Sequence, residues 1–156
     1  MPGSALAEKT KFPSDNPAFT VELPSGWTSK VDKNGNLECH PPNDPAYNLT
    51  VFNMSRIENQ TELRDALPKM LEGTGLKNLK LGEVEETASD TMQFLEAKGK
   101  GDSDGTQLAV VITGFEAQKG RFFALLRVGL AKDDKKHGKD YESIAASIEP
   151  LKTSAK

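Results

Sequence analysis

Two neighbouring segments, 107–116 and 121–130, are apolar on both of the faces that a β-strand presents. The first carries Leu108, Val110 and Ile112 on one face and Ala109, Val111 and Phe115 on the other. The second alternates Phe122, Ala124, Leu126 and Val128 with Phe123 and Leu125. The linker 117–120 is suited to a hairpin turn. Strands that are apolar on both faces must be covered on both sides, so the rest of the chain has to supply two covering layers.

Two helical patterns can supply these layers. Residues Leu63, Leu67, Met70 and Leu71 share one face of a helix. Thr61 is the expected N-cap, and Gly73 and Gly75 are expected to end this helix. Pro68 is expected to kink or shorten it, because proline lacks the backbone N–H.

The second helical pattern consists of Tyr141, Ile144, Ala145 and Ile148, and Pro150 follows its end. Shorter alternating segments predict further strands near 18–23, 28–31, 37–40, 47–56, 79–86 and 91–98. The sequence therefore predicts an α+β fold in which an antiparallel β-sheet is sandwiched between helices.

The segment 19–27 also resembles a known family. Phe19, Val21 and Leu23 alternate with polar residues, Pro24 ends the strand, and Ser25-Gly26 leads to Trp27. This segment and the order of elements over 17–150 resemble the PsbP-like superfamily, which includes the Mog-type and DcrB-like domains. Leu23 stands where that family often has an aromatic residue. The resemblance implies an α/β/α sandwich without a shared active site, and no functional residue carries over.

Length and composition limit the classes of function. The 156 residues suit one domain, predicted at 16–151, with a flexible N-terminal arm at 1–15 and a C-terminal tail at 152–156. The net charge of −3 and the interleaved lysines and acids argue against nucleic acid as a partner. There is no apolar run of 18 residues, so no membrane span is expected. Cys39 is the single cysteine, which excludes an intramolecular disulfide.

Location follows mainly from the resemblance. Residues 1–7 lack the basic and apolar regions of a signal peptide. Because of the family resemblance, an extracytoplasmic protein with its leader removed is slightly favoured over a cytoplasmic one. Whether Met1 is the native start is left open.

Several groups with reactive chemistry have simpler interpretations. Cys39 and His40 are neighbours in a strand and point to opposite faces, so they do not form one site. His137 lies in a charged segment. The run 102–105, Asp-Ser-Asp-Gly, lacks the further acids of a calcium loop and predicts a hairpin turn. Glu83, Glu85 and Glu86 predict a solvated edge strand. No cofactor or metal is predicted.

Three residues are candidates for binding. Tyr47 is presented by the proline-rich loop 41–47, and Trp27 is the single tryptophan. Arg127 lies inside an apolar strand, where a charge is costly unless it is paired. It could bind a ligand anion, pair with a buried acid such as Glu96, or point outward at the sheet edge; the structural pair is favoured.

The favoured function is a non-catalytic binding or adaptor domain whose partner is another protein or a small ligand. One alternative is a chaperone-like module, which requires a contiguous exposed apolar patch of several hundred Å². The other is a small enzyme with a site assembled in space from Glu96, Arg127, His40 and Tyr47. A pocket containing two or more of these four residues would support the enzyme.

Overall fold

The computed structural model describes residues 8–42, 44 and 47–152. The strands are β1 Glu8–Phe12, β2 Phe19–Leu23, β3 Thr28–Val31, β4 Leu37–His40, β5 Asn48–Asn53, β6 Lys77–Leu81, β7 Glu85–Ala88, β8 Gln93–Ser103, β9 Thr106–Gln118, β10 Arg121–Leu130 and β11 Glu149–Pro150. The α-helices are α1 Gln60–Glu72 and α2 Asp134–Ala146, and a short 3₁₀ turn, Ala131–Asp133, precedes α2. Neither described helix is long and apolar enough to cross a bilayer.

The strands form two antiparallel sheets. The main sheet has the order β3-β4-β5-β10-β9-β8-β6, and β7 also pairs with β8. The smaller sheet has the order β1-β2-β11. The turn between β8 and β9 uses Asp104 (φ 49°) and Gly105 (φ 81°), the conformation of a tight two-residue hairpin. This confirms the hairpin predicted at 102–105.

A different layer covers each face of the main sheet. The buried face of α1, formed by Leu63, Leu67 and Leu71, packs with residues such as Ile112 and Ala124. On the other face lie α2 and the small sheet, whose apolar side chains pack with Phe115, Phe123 and Leu125. The predicted α+β sandwich is therefore confirmed, and the two apolar faces of β9 and β10 explain why both layers are needed.

The small sheet was not predicted. The alternation of Phe19, Val21 and Leu23 correctly marks a strand with one buried face. That strand, β2, nevertheless lies outside the main sheet, and its Phe19 ring packs against the main sheet. The Phe19 ring centroid is 4.9 Å from that of Phe123 and 5.1 Å from that of Phe115. Residues 8–12, assigned to a flexible arm from the sequence, form β1 on one side of β2.

The N-cap of helix α1 lies two residues before the predicted one. Asn59, not Thr61, is the N-cap, and its side chain accepts a hydrogen bond from the backbone N–H of Glu62. Glu62 in turn accepts from the N–H of Glu58, so each side chain satisfies a backbone donor near the helix start. Pro68 was predicted to kink or shorten the helix, and the helix is not shortened, because it continues past Pro68 to Glu72. Leucines buried against the sheet before and after the proline hold the helix in place through Glu72.

The predicted strand 79–86 is two strands. Residues 82–84 separate β6 from β7, and each of these short strands pairs with a different part of β8. Glu83 therefore lies in the connection, whereas Glu85 and Glu86 are exposed residues of β7. The solvated character expected for these acids is correct, but they do not share one continuous strand.

Gly114 on β9 sets the distance between α1 and the main sheet. A Cβ at this position would lie 2.9 Å from Leu63 Cδ1 and 3.1 Å from Leu67 Cδ2. Both leucines are fully buried and belong to the face of α1 that anchors the helix. The helix can approach the sheet this closely because β9 has no side chain here.

We expect Gly114→Ala to lower the free energy of unfolding by about 2 kcal/mol, because the added methyl group overpacks a closed interface. Gly138→Ala is the matched control. The nearest atom to a Cβ at Gly138 is 3.9 Å away, an ordinary contact. Alanine in the middle of α2 should therefore raise stability by about 0.5–1 kcal/mol. Urea unfolding measures the change in unfolding free energy for each variant. Equal changes for Gly114→Ala and Gly138→Ala would contradict this account of Gly114.

Candidate functional site

Arg127 joins β10 to α2. Its residue is only 2% exposed, and its neighbours across the sheet are Leu49 and Val111. The guanidinium forms an ion pair with Asp134 and lies 5.6 Å from the ring centroid of Tyr141. A charge in this position is tolerated because an anion and an aromatic face both contact it.

The residues of α2 near Arg127 recur at helical spacing. Asp134, Gly138 and Tyr141 are four and three residues apart, so they lie on one face of the helix. Gly138 faces the guanidinium, whose Nη1 lies 3.9 Å from the ideal Cβ position, an ordinary contact distance that an alanine could also occupy. Within the described residues, Arg127 Nε has no hydrogen-bond partner. The arginine thus fixes the position of α2 on the sheet.

The structural pair predicted for Arg127 is present, but Glu96 is the wrong partner. Glu96 instead lies 3.8 Å from Lys98, and its carboxylate is 3.4 Å from the Thr113 hydroxyl. Asp134 follows the end of β10 by only a few residues, and the 3₁₀ turn folds it back over the strand. The spacing of Asp134, Gly138 and Tyr141 marks one helix face in the sequence, but it does not identify Arg127 as the residue that this face contacts.

Trp27 and Tyr47 contact each other edge to face, with ring centroids 5.4 Å apart and an interplanar angle of 84°. The turn that delivers Trp27 needs Gly26, whose φ of +89° is unfavourable for any residue with a Cβ. Trp27 is half-buried against the core, as the sequence predicted. Tyr47 is fully buried, so the loop does not present its aromatic ring to solvent.

The three predicted binding residues therefore lie near one another, and Tyr47 is next to both Trp27 and Arg127. Burial raises the pKa of the Tyr47 hydroxyl, although the charge of Arg127 acts in the opposite direction. Arg127 is close enough to influence Tyr47, and Tyr47 contacts Trp27. Their arrangement suits the attachment of a helix and a loop to the sheet. The binding role assigned to them from the sequence stays a prediction.

A small cavity of about 240 Å³ opens beside Glu96 under α2. Thr113 and Tyr141, whose hydroxyls hydrogen-bond to each other, contribute to its wall, and Tyr141 also donates to the carbonyl of Leu125 at 2.9 Å. Burial raises the pKa of Tyr141, which keeps its hydroxyl protonated as a donor. Of the four residues suggested for an enzyme site, this cavity contains Glu96 alone.

The remaining reactive groups do not converge. Cys39 is fully buried, whereas His40 is half-buried and lies 3.7 Å from Glu38, so the two neighbours face different surroundings as predicted. His137 belongs to α2, but its side chain is outside the described part of the structure. Within that described part, no group of three or more His, Cys, Asp or Glu residues is placed to hold a metal ion.

The open surface includes a groove of about 560 Å³ on the α2 side of the main sheet, near the edge formed by β6. Lys80, Lys98 and Lys100 line it, and Ala109 and Val111 contribute apolar surface. Asp134, the partner of Arg127, lies at its α2 end. These lysines were not singled out from the sequence. Lys98 and Lys100 alternate with Ala97 and Gly99 along β8, but Lys80 joins them only through strand pairing.

Solved structures share this fold. Cyanobacterial PsbP from Synechocystis sp. PCC 6803 has a TM-score of 0.69 at 12% identity, over 96% of this chain and 95% of that one. LpqN, involved in cell envelope biogenesis of Mycobacterium tuberculosis, has a TM-score of 0.63 at 12% identity, over 96% and 93%. These similarities confirm the predicted PsbP-like fold. No protein-family model and no curated protein matches the sequence.

A third solved structure with this fold contains a peptide. It is the immunity protein TplEi of the T6SS from Pseudomonas aeruginosa complexed with "L" peptide, with a TM-score of 0.52 at 12% identity. The match covers 96% of this chain and 56% of that one, so this chain spans about half of TplEi.

We expect Asp134→Asn to lower the free energy of unfolding by about 1–2 kcal/mol, because it leaves the buried guanidinium of Arg127 without an anion. Water can reach this half-exposed aspartate and reduces the loss. Asp133→Asn is the control, since Asp133 has no ion pair among the described residues, and it should change stability by less than about 0.5 kcal/mol. Chemical denaturation of both variants in the wild-type and Arg127→Met backgrounds isolates the pair. Equal losses for Asp133→Asn and Asp134→Asn would contradict the pairing.

Stability should also fall at alkaline pH through Cys39. Burial raises the pKa of its thiol to about 12. In the unfolded chain the thiol ionises at about pH 8.5. Above that pH the free energy of unfolding falls as the pH rises, until the thiol of the folded protein ionises as well. This contribution to the slope approaches about 1.4 kcal/mol per pH unit.

Comparison with Cys39→Ala isolates the thiol from the other groups that titrate at high pH. The variant should be less stable near neutrality because it loses packing in the core. The difference in unfolding free energy between the two proteins should shrink as the pH rises from about 8 to about 10.5. A difference that stays constant over this range would show that the thiol does not behave as described.

Proposed function

We propose that the chain is a non-catalytic binding domain that engages another protein. The proposal rests on one observation: the side chains that could perform chemistry have structural roles in the interior. Arg127, Tyr141 and Thr113 hold α2 on the sheet, and Cys39 is sealed in the core. The lysine-lined groove, in contrast, is open at the surface. Surface that is available for contact is thus separate from the groups that could perform chemistry.

The solved structures support this proposal at the level of the fold. A PsbP-like fold is compatible with peptide contact, because TplEi of similar fold forms a complex with "L" peptide. A fold alone does not determine function, so the surface of this chain has to supply its own specificity. A partner protein is favoured over a small ligand because the groove is open and lies beside a sheet edge.

The two alternatives receive less support. An enzyme assembled from Glu96, Arg127, His40 and Tyr47 would need a shared cavity, and the cavity beside Glu96 does not include the other three. A chaperone-like module would need a broad exposed apolar patch. Among the described residues, the one large hydrophobic side chain that is exposed is Val31 on β3, at 49%.

The proposal also includes an extracytoplasmic location and a single domain, which comprises β1 as well as residues 16–151. LpqN, which shares the fold, is involved in cell envelope biogenesis. A leader encoded upstream of Met1, together with recovery of the protein in the periplasmic or secreted fraction, would support this location. Recovery in the cytoplasmic fraction alone would contradict it.

Two measurements test the proposed function. The first is a screen of the full chain for turnover of esters, phosphate esters, glycosides and peptides, with Glu96→Gln as the diagnostic variant and the exposed Glu83→Gln as its control. We expect no turnover above that of buffer. Activity that is lost in Glu96→Gln but kept in Glu83→Gln would overturn the proposal.

The second measurement detects the partner directly. A photoreactive phenylalanine analogue is placed singly at exposed positions on both sheet faces, both sheet edges and α1, and the source cells are irradiated. We expect a discrete adduct of the chain with another protein from at least one of these positions. Lack of adducts at every position would contradict protein binding, whichever surface is used.

A further inference from the structure

The groove contains an arrangement of like charges that costs stability. Lys80 on β6 is directly opposite Lys100 on β8, and residues directly opposite each other in an antiparallel pair point to the same face. Lys98 lies two residues from Lys100 on the same strand and therefore also on that face. Like charges placed directly opposite each other destabilise a sheet.

Nearby acids do not offset this repulsion. Within the described residues, neither Lys80 nor Lys100 forms an ion pair, and Lys98 has a single long contact with Glu96 at 3.8 Å. Asp134 in the groove wall is occupied by Arg127. The other acid there, Asp102, lies at one end and accepts a hydrogen bond from the Asn78 side chain at 3.2 Å. The two lysines therefore have unused capacity for an external anion.

Small and apolar residues form part of the groove floor, where Ala109 is 4% and Val111 is 6% exposed. In the main sheet, Lys100 is next to Ala109, and Ala109 is next to Gly129, so small residues continue the row that begins at Lys80. The adjacent row places Lys98 beside Val111. An extended chain could lie here with its apolar side chains toward Ala109 and Val111 and its acidic side chains toward the lysines.

We propose that this groove binds an acidic, extended segment of a partner protein, whose carboxylates pair with Lys80, Lys98 and Lys100. This inference rests on the proposed protein-binding function and names the surface and the chemistry of the partner. Charge complementarity is the reason to choose an acidic segment. The destabilising lysine pair is then retained because it contributes to recognition, a common compromise between stability and function.

The probe is a capped eight-residue peptide of alternating Glu and Val, and the same peptide with Gln in place of Glu is its control. Titration into the isotopically labelled full chain, followed by NMR, should shift backbone signals of the three groove lysines, Ala109 and Val111. The affinity should fall as salt is raised, because the contacts are exposed charge pairs. The Gln peptide should bind at least about tenfold more weakly.

The triple variant Lys80→Gln, Lys98→Gln, Lys100→Gln should bind the Glu peptide about tenfold more weakly or worse. Its control, Lys30→Gln, Lys33→Gln, Lys69→Gln, removes the same total charge from exposed lysines elsewhere and should change the affinity by less than about twofold. Equal weakening in both variants, or no binding of the Glu peptide, would overturn the inference. Binding of inorganic pyrophosphate but not of the Glu peptide would also overturn it, because it would assign the groove to a phosphate ligand.

A stability measurement keeps the test independent of any one peptide. Lys100→Glu converts the repulsive pair with Lys80 into an attractive one, so this variant should melt at a higher temperature than the wild type. Its affinity for the Glu peptide should fall at the same time. A lower melting temperature would show that repulsion between Lys80 and Lys100 does not destabilise the sheet. None of these results bears on turnover or on cross-linking elsewhere, so the groove and the proposed function can fail separately.

Discussion

The structure depends on one constraint: its central strands have to be covered on both faces. Strands β9 and β10 carry apolar side chains alternately toward α1 and toward α2, and neither face can be left in water. Each helix is attached to the sheet by a different kind of contact. Helix α1 lies directly on the sheet because Gly114 leaves room for its leucines. Helix α2 is held by a buried guanidinium, whose partners are an acid and an aromatic ring of that helix.

These two attachments have different consequences for the surface. The contact through Gly114 is apolar and closed, whereas cavities of about 570 and 520 Å³ lie beside α1, between this helix and the segment 82–88. The contact through Arg127 spans two turns of α2, from Asp134 to Tyr141. Beyond Asp134, at the N-terminal end of α2, the same face of the sheet continues toward β6, and the lysine-lined groove lies there. The position of the groove thus follows from how far α2 extends over the sheet.

Much of the fold could be predicted from local sequence patterns because these patterns record burial. The two-residue period of Phe19, Val21 and Leu23 and the helical spacing of Leu63, Leu67 and Leu71 each identify a buried face. Such patterns do not say which element covers that face. The assignment of β2 to a separate sheet, and the pairing of β6 and β7 with different parts of β8, depend on contacts between residues far apart in the chain.

The candidate site shows the same limit. The sequence identified Arg127 as a buried charge that needs a partner, but Asp134 could be recognised only after the 3₁₀ turn had placed it over β10. Trp27 and Tyr47 were recognised as aromatic residues, yet their mutual contact and the burial of Tyr47 come from tertiary packing. Lys80 and Lys100 are 20 positions apart and meet through strand register alone.

The small sheet also affects the order in which the molecule can be completed during synthesis. Strand β2 lies between β1 and β11, and the Ser147 hydroxyl accepts a hydrogen bond from the Glu22 N–H across 125 positions. Pairing over such a separation carries a large loop-closure cost and slows folding. A ribosome adding about 5–20 residues per second needs several seconds or more to span that interval. During this time the edge of β2 that pairs with β11 has no partner, and Phe19 lacks its contacts with Phe115 and Phe123 until β9 and β10 are made.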